Sequence, residues 1–272
     1  MASAGTSFVG HQQSPLLARA GFRHAFFTRQ GGASQGPFAT LSFSTAVGDE
    51  PEHVEENLRR AGALLGVDPA RVLYLSQIHG RAARFYATAQ ERAHIITLEG
   101  DALGGSEPGS AYGVRSADCV PILLADVSSG AVMAIHAGWR GVVAGVVEAG
   151  VTSLRENAGG YGQLLAAIGP HISKAAFEVS DDVAAELAAV CPAPGAVLRE
   201  HGAKPHVDLR FIVTQQLQAL GLNEAAIDQV GGCTVLDSKQ YFSFRRDGKR
   251  SGRHLSAIVP REHEPKGSQR TP

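Results

Sequence analysis

The chain has few of the features that mark secreted, membrane or nucleic-acid-binding proteins. Its 272 residues include 3 cysteines, Cys119, Cys191 and Cys233, which are far apart and form no CxxC motif. An odd number of scattered cysteines argues against a disulfide scaffold and favours the reducing cytoplasm. A formal net charge of -1 provides no general attraction for nucleic acid or an anionic membrane. No run of about 18 apolar residues is present, so we expect no transmembrane helix.

The N-terminal sequence also lacks the pattern of a signal peptide. It reads MASAGTSFVGHQQSP, with no basic segment followed by an apolar one. An apolar fraction of 44% suits a globular core, and neither a repeat nor an internal linker divides the chain. We predict one α/β domain of layered mixed sheets and helices over residues 21–259. A loose lead-in over residues 1–20 precedes it, and a disordered polar tail over residues 260–272 follows it.

Cap and turn residues predict the main elements. Asp49 or Glu50 precedes Pro51, and an apolar helical pattern then runs to Gly66, which is typical of a capped helix. Further helices are predicted within residues 141–157, 181–190 and 208–221, the last capped by Asp208. Strands are predicted within residues 22–29, 72–80 and 164–170. The closing segment, residues 241–259, is predicted to form two strands around a basic turn.

A cysteine and a histidine stand at the two ends of a predicted hairpin. The apolar runs 120–125 and 131–137 flank a polar tetrapeptide, residues 127–130, whose Ser-Ser-Gly is a turn sequence. Antiparallel strands joined by a short turn bring the start of the first beside the end of the second. Cys119, before the first run, and His136, near the end of the second, should therefore face each other.

His79 adds a third side chain of the same kind after another apolar run. Two imidazoles and one thiolate suit Zn²⁺ or another borderline metal, and they leave a fourth position open for water or substrate. Two other interpretations remain: Cys119 is a nucleophile with His136 as its base, or the three residues are ordinary core and cap residues. A catalytic pair of Cys119 and His136 does not require His79, whereas a metal site requires a third ligand. Asp101 and Asp118 are candidate carboxylates for orienting a ligating histidine.

Two arginines stand beside glycine and are candidates for binding the anionic part of a substrate. Arg29 precedes Gly31-Gly32, and Arg140 lies between Trp139 and Gly141. A planar guanidinium fork beside open backbone suits phosphate or carboxylate. A solvated basic turn is the simpler interpretation of the cationic residues in the closing segment: Arg245, Arg246, Lys249 and Arg250.

Eight short motifs follow one another along the chain: FTRQGGASQGPF, GDEPEHVEENLRR, SQIHG, GDAL, SADCVPILLAD, IHAGWRG, IGPHIS and a closing CT…YFSFRRDG…GR. In this order they resemble the YfiH or laccase-domain family, from about Gly21 to Val259. Members have been labelled multicopper polyphenol oxidases, purine nucleoside phosphorylases and peptidoglycan-editing factors. One departure is visible, because His171 stands where the family often has the cysteine of IGPC. That change removes a thiol near the predicted site and bears on its choice of metal.

The resemblance implies a fold related to the cysteine-hydrolase toxin fold, and a catalytic zinc, with copper as the alternative, bound by His79, Cys119 and His136. It implies phosphorolysis of adenosine, inosine and methylthioadenosine to the free base and a pentose 1-phosphate, with adenosine deaminase activity in the same pocket. Copper-dependent oxidation of phenols, or hydrolysis of a peptidoglycan precursor by the Cys–His pair, are the alternatives. We expect a nucleoside and phosphate as ligands, no nucleic-acid or membrane partner, and a monomer or weak homodimer.

Overall fold

The chain is arranged in four layers, in the order helix, sheet, sheet, helix. The computed structural model describes residues 9–159, 162–200 and 202–262. The strands of this part are β1 His11–Gln12, β2 His24–Phe27, β3 Val72–Leu73, β4 Ala83–Tyr86, β5 Ala102–Gly105, β6 Ala111–Ser116, β7 Val120–Asp126, β8 Val132–Ala137, β9 Leu164–Ile168, β10 Val197–Leu198, β11 His206–Val207, β12 Ile227–Gln229 and β13 His254–Ile258. Its α-helices are α1 Pro15–Arg19, α2 Pro51–Leu65, α3 Arg92–Ile95, α4 Trp139–Ala144, α5 Val146–Asn157, α6 Asp181–Ala189, α7 Leu209–Ala219 and α8 Phe244–Asp247.

Both large sheets are mixed, as predicted. One has the order β1-β2-β13-β6-β3, in which only β3 and β6 are parallel. The other has the order β12-β9-β7-β8-β5-β4, with parallel pairs at its two margins and antiparallel pairs in its centre. A short ribbon of β10 and β11 lies apart from them. Within the described residues, no helix combines the length and the apolar character needed to cross a membrane.

The layers follow from strands that are apolar on both faces. In β7, Ile122 and Leu124 pack with the helices, while Leu123 and Ala125 pack against the other sheet. Successive side chains of a strand point to opposite faces, so a continuous apolar run is what a strand between two layers requires. The outer face of the five-stranded sheet is covered by the apolar side of α2.

The structure confirms the elements that have clear cap and turn signals. Helix α2 begins after Glu50 with Pro51 and ends at Gly66, which adopts φ 67°. The Asp208 side chain accepts a hydrogen bond from the Phe211 N–H at 3.0 Å at the start of α7. The predicted hairpin is β7–β8, whose register pairs Pro121 with His136.

The helix predicted within residues 141–157 is instead two helices. Gly145 adopts φ 88° and separates α4 from α5. The apolar spacing on either side of Gly145 is continuous, so the periodicity alone could not reveal the break. A left-handed residue ends an α-helix even where the hydrophobic pattern continues, and glycine adopts that conformation at little cost.

The closing segment contains one strand where two were predicted. Its first part forms α8, whose N-terminus is capped by the Ser243 hydroxyl accepting from the Arg246 N–H at 3.1 Å. The Arg246 guanidinium donates to the carbonyl oxygens of Thr234, Val235 and Tyr241. These contacts override the strand preference of the aromatic sequence, and Arg246 is not part of a solvated turn.

Order extends beyond both predicted ends of the domain. Before Gly21, β1 pairs with β2, and Leu17 of α1 is fully buried, so the expected loose lead-in is wrong from His11 onward. At the other end, the Arg261 N–H donates to Gly130 O at 3.0 Å, and its guanidinium donates to Ala20 O and Val127 O. The rest of the predicted lead-in, residues 1–8, and of the predicted tail, residues 263–272, lies outside the described residues.

Candidate metal centre

His79, Cys119 and His136 converge at one edge of the six-stranded sheet. Cys119 directly precedes β7, and His136 is the penultimate residue of β8. His79 lies on the loop before β4, six residues after β3 ends, and not at the end of a strand as we expected. One ligand atom from each residue can be chosen so that all three lie within 4.8 Å of one another. Metal–ligand bonds of roughly 2.0–2.3 Å would bring the three ligand atoms to within about 4 Å of one another, so a small movement of the side chains completes the site.

The three side chains differ in their exposure to solvent. His136 is buried, Cys119 is half-buried and His79 is exposed. The two imidazole rings lie 4.9 Å apart between centroids, at an angle of 73°. A ligand can therefore reach the group from the His79 side, while the His136 side is closed by the core.

The Asp101 carboxylate connects the two histidines and is fully buried. It lies 2.9 Å from His136 Nδ1, and it accepts the backbone N–H groups of Ile78, His79 and Gly80 at 3.2, 3.0 and 2.7 Å. A carboxylate acceptor at Nδ1 keeps the proton on that nitrogen and leaves the Nε2 lone pair for a metal or a proton. Asp101 therefore has the contact expected of an orienting carboxylate, and it also fixes the loop that carries His79.

Two residues beside the site adopt backbone conformations that side chains other than glycine rarely take. His79 has φ 59° and Asp118 has φ 93°, and they are the non-glycine residues of the described chain with positive φ. Such conformations cost about 1–3 kcal/mol each and persist where neighbouring contacts fix them. For His79 those contacts come from Asp101.

The electrostatics favour a thiolate beside a protonated imidazole in the metal-free site. Burial alone would raise the pKa of Cys119, but the charges and hydrogen bonds of His136 and His79 lower it to about 6. Burial would lower the pKa of His136, but Cys119 and Asp101 raise it to about 9. The thiolate is the form that binds metals and attacks electrophiles. The pair thus supplies a deprotonated sulfur at neutral pH.

Gly138 leaves the space in which these side chains meet. A Cβ atom built on Gly138 would lie 2.9 Å from His79 Cδ2 and 3.0 Å from Cys119 Sγ. The HAGWRG sequence shows a small residue here, but only the folded geometry reveals which atoms occupy the space.

Asp118 lies beside the site but holds a different part of the chain. Its carboxylate accepts hydrogen bonds from Thr234 Oγ1 at 2.6 Å, Ser243 Oγ at 3.1 Å and the Arg245 N–H at 2.6 Å. The partners of this carboxylate among the described residues are therefore Thr234 and two residues of the closing segment, and they include no histidine. Asp118 anchors the start of α8 next to Cys119.

The two arginines selected from the sequence lie in different surroundings. Arg140 is exposed in the first turn of α4, with its guanidinium carbon 4.4 Å from the centre of the Trp139 ring. We call His79, Cys119 and His136 together the metal-ligand group. Because α4 begins directly after Gly138, Arg140 lies close to His136 of this group in the sequence. The Nε and one Nη of Arg29 donate to Ala39 O and Ser238 O, and its guanidinium lies over Phe242. Arg29 therefore contributes to the packing of the loop that it enters.

Arg253, which the sequence offered as a basic residue of the closing segment beside glycine, is a charged neighbour of the site. Burial lowers its pKa, while the charges of Cys119 and Asp118 act to raise it. Strand pairing explains why Arg253 lies near Cys119. The next residue, His254, pairs with Ser116 at the end of β6, and Cys119 follows Ser116 closely in the sequence. The only sequence signal was the Gly252-Arg253 pair in the last of the eight motifs. In the same region, Arg245 donates to Ala176 O and Glu178 O, so it too is more than a solvated cation.

The donor set fits a borderline metal ion. Two imidazole nitrogens and a thiolate are the ligands that zinc accepts, and copper also binds them. His171 is not part of the group; its Nδ1 lies 2.7 Å from Gly169 O, on the turn after β9. The cysteine-to-histidine change therefore leaves the three candidate ligands as they are.

Comparison with known proteins gives consistent matches over nearly the whole chain. The profile of a family described as "Multi-copper polyphenol oxidoreductase laccase" matches residues 23–261. A purine nucleoside phosphorylase of Streptomyces coelicolor is 38% identical over 227 residues, covering 84% of this chain and 91% of that protein. The purine nucleoside phosphorylase YfiH of Escherichia coli is 36% identical over 234 residues, covering 85% and 90%.

Solved structures have the same fold. The crystal structure of YlmD from Geobacillus stearothermophilus aligns with a TM-score of 0.83 at 30% identity, covering 92% of this chain and 94% of that one. The crystal structure of a Bacillus licheniformis hypothetical protein YfiH aligns with a TM-score of 0.81 at 25% identity, covering 88% and 92%. The layered arrangement of mixed sheets and helices is therefore shared across these proteins.

Proposed function

The chain belongs to the family described as multi-copper polyphenol oxidoreductase laccase, which includes the YfiH proteins, and we propose that it is a metal-dependent purine nucleoside phosphorylase. The observation that carries the proposal is the convergence of His79, Cys119 and His136 at one solvent-accessible edge. The substrate class rests on the names of relatives at 38% and 36% identity. The proposed reaction converts adenosine, inosine or methylthioadenosine and phosphate into the free base and a pentose 1-phosphate.

Zinc is the proposed metal, and copper is the alternative. When bound, such an ion polarises a ligand and lowers the pKa of a coordinated water. That chemistry also serves the deamination of adenosine to inosine, which we propose as a second activity in the same pocket. With a metal ion in place of the His136 Nε2 proton, the protein would supply a thiolate at Cys119, a neutral imidazole at His136 whose Nδ1 proton points to Asp101, and the exposed imidazole of His79.

We assign the phosphate to Arg140 and Arg29. Arg140 comes shortly after Gly138, whose missing side chain leaves room for His79 and Cys119. The Arg140 guanidinium is exposed. Arg29 is half-buried and uses two of its nitrogens on carbonyl groups, so its second Nη is the one left to bind an anion. A preorganised guanidinium holds the phosphate anion in place, and the phosphate in turn stabilises the positive charge that develops on the sugar as the glycosidic bond breaks.

The deciding experiment compares four reactions on metal-loaded protein, with a copper-loaded sample for the oxidation of a phenol. Adenosine with phosphate should yield adenine and ribose 1-phosphate, and adenosine without phosphate should slowly yield inosine, both read by liquid chromatography. Oxygen uptake with a phenol after copper loading would favour the oxidase in the family description. Activity on a peptidoglycan precursor that is blocked by thiol alkylation and indifferent to chelators would favour a cysteine hydrolase. Adenosine left untouched in phosphate buffer would overturn the proposal.

Variants then distinguish the residues that bind the metal from those that bind phosphate. Cys119→Ala should lose most bound metal by elemental analysis and should lose both activities, whereas Cys191→Ala, at a half-buried cysteine outside the group, should keep them. Arg29→Ala and Arg140→Ala should raise the KM for phosphate and slow phosphorolysis by on the order of 10²-fold, the size of losing one preorganised contact. Deamination uses water, so it should survive far better. Equal loss of both activities in an arginine variant would remove that arginine from the phosphate site.

A further inference from the structure

A cavity lies at the same edge of the six-stranded sheet as the metal-ligand group. It has a volume of about 190 Å³, and the residues around it include His171, Ser173, Lys174, Asp208, Arg210 and Cys233. We call it the rim pocket. Its size is below the roughly 300–1,000 Å³ typical of sites for larger organic ligands, so it suits a small molecule or one functional group.

The topology explains why the rim pocket lies beside the metal-ligand group. Strands β9 and β12 are parallel and both end at this edge, so the turns that follow them meet there. His171 and Cys233 form an isolated parallel bridge between those turns. Asp118 separates the two sites, because its carbonyl accepts the Ile172 N–H at 2.9 Å and its carboxylate accepts the Thr234 hydroxyl. Cys119 follows on the other side of Asp118.

The charged groups around the rim pocket have an excess of positive charge. The Arg210 side chain forms no hydrogen bond or ion pair with any residue of the described chain, and it is exposed. It is the second residue of α7, where the positive end of the helix makes a cation unfavourable. The Lys174 ammonium group makes one long hydrogen bond, 3.4 Å from Nζ to Gly195 O. Asp208 is the single carboxylate of the lining, and its Oδ1 already accepts the Phe211 N–H.

The pocket also offers hydrogen-bond donors without good acceptors. The Ser173 hydroxyl oxygen is buried, and the partner it has among the described residues is the Cys233 sulfur, a weak acceptor. A buried hydroxyl that lacks a strong acceptor destabilises the fold unless a ligand satisfies it. His171 Nδ1 donates to Gly169 O, so Nε2 of the neutral ring is an acceptor, which suits the hydroxyl of a hydrogen phosphate ion. A Cβ atom built on Gly232 would meet nothing within 4 Å, so the backbone there is open to an approaching group.

We propose that the rim pocket binds a small phosphate-type oxyanion, with Arg210 and Lys174 as its charged partners and Ser173 as its buried donor. An oxyanion supplies the several acceptors and the negative charge that this lining lacks, and hydrogen bonds from ionised donors are the strong ones. The ligand is either inorganic phosphate or the phosphate group of a monoester. The proposal is independent of the reaction assigned to the metal-ligand group.

Cys233 provides a reporter inside the pocket. Its Sγ accepts the Ser173 N–H at 3.3 Å, which favours the reactive thiolate, and the residue is half-exposed. Metal-loaded protein is alkylated with neutral iodoacetamide or anionic iodoacetate, and labelling of each cysteine is read by peptide mass spectrometry. We expect the iodoacetate-to-iodoacetamide rate ratio to be higher at Cys233 than at Cys191. Inorganic phosphate should protect Cys233 saturably, and labelling of Cys119 in the same digest shows separately whether the anion reaches the metal-ligand group.

Variants and ligand series decide the outcome. Arg210→Gln and Lys174→Gln should each weaken protection by on the order of tenfold, because each loses a charge-assisted hydrogen bond. Ser173→Ala should weaken it as well, and Lys249→Gln, at an exposed lysine outside the lining, should not. Protection by ribose 5-phosphate at lower concentration than by inorganic phosphate identifies a monoester ligand, and the reverse order identifies free phosphate. No saturable protection by either, or equal protection in all variants, would overturn the proposal.

Discussion

At the residue scale, the candidate site depends on groups that hold the three ligands as much as on the ligands. Asp101 fixes both the His136 ring and the loop of His79, and Gly138 leaves the space between them. Residue type and chain order were enough to select His79, Cys119, His136 and Asp101. They could not predict the partners of Asp118, since Thr234 and Ser243 are more than 100 positions away in sequence and reach it only through tertiary folding.

Gly138→Ala should disturb the metal-ligand group without unfolding the protein. The added methyl would press on His79 and Cys119, whose side chains can yield toward solvent, while the backbone of Gly138 has the ordinary value φ -72°. We expect metal affinity to fall by on the order of tenfold or more, as when groups around a metal are displaced. A competition titration with a chromophoric chelator measures this. Gly109→Ala, where a Cβ would meet only the Glu107 carboxylate at 3.4 Å, should bind metal normally.

The Cys119 thiol should ionise at unusually low pH in the metal-free protein. Burial raises its pKa, but His136 and His79 lower it to about 6, so the thiolate should form well below the usual value near 8.5. Thiolate absorbance in the far ultraviolet, taken as wild type minus Cys119→Ser, should rise with a midpoint near this value. His136→Gln should return the midpoint toward that of an ordinary thiol. A difference spectrum with an ordinary midpoint in the wild type would show that the charge pair does not form.

At the element scale, the sequence was informative where one residue determines a boundary by itself. The proline and glycine at the ends of α2, and the Asp208 cap of α7, act locally and were read correctly. The closing segment was misread because its conformation is fixed from outside. The Arg246 guanidinium and the Arg245 N–H bind groups of distant segments, so the aromatic pattern of YFSF no longer decides the local structure.

The break between α4 and α5 should be sensitive to the side chain at position 145. Gly145 has φ 88°, and an L-residue in the left-handed region costs about 1–2 kcal/mol. Gly145→Ala should therefore lower the free energy of unfolding by that amount in a urea titration. Gly145→Asn should lose less, because asparagine tolerates this conformation better. Equal effects of the two variants would mean that contacts of the new side chain, and not backbone strain, dominate.

At the scale of the whole molecule, the four-layer fold brings its chemistry to one edge. The central strands of the six-stranded sheet, β7, β8 and β9, are buried on both faces, so polar groups collect where these strands begin and end. The metal-ligand group and the rim pocket lie side by side at that edge, on neighbouring strands. The five-stranded sheet carries none of the candidate ligands, but it contains buried histidines that make the free energy of unfolding depend on pH.

The protein should lose stability as pH falls below about 6.5, in part through His254. This histidine is buried in the five-stranded sheet, where its Nε2 accepts the Phe242 N–H at 2.9 Å and its Nδ1 lies 3.2 Å from Ser116 O. Burial, with Arg29, Arg253 and Arg246 nearby, lowers its pKa to about 3. Between these two pH values the unfolded chain takes up a proton on this residue and the folded chain does not, so acidification favours unfolding.

The size of that effect can be isolated with a matched pair of variants. From pH 6.5 to pH 5, His254 alone should remove about 2 kcal/mol from the free energy of unfolding. Urea titrations across this range should therefore show a shallower pH dependence for His254→Gln than for the wild type, even if the variant is less stable at pH 7. His94→Gln, at an exposed histidine, should follow the wild-type slope. If His254→Gln keeps the full slope, His254 already carries a proton in the folded sheet, and its hydrogen bond from Phe242 is not the one described.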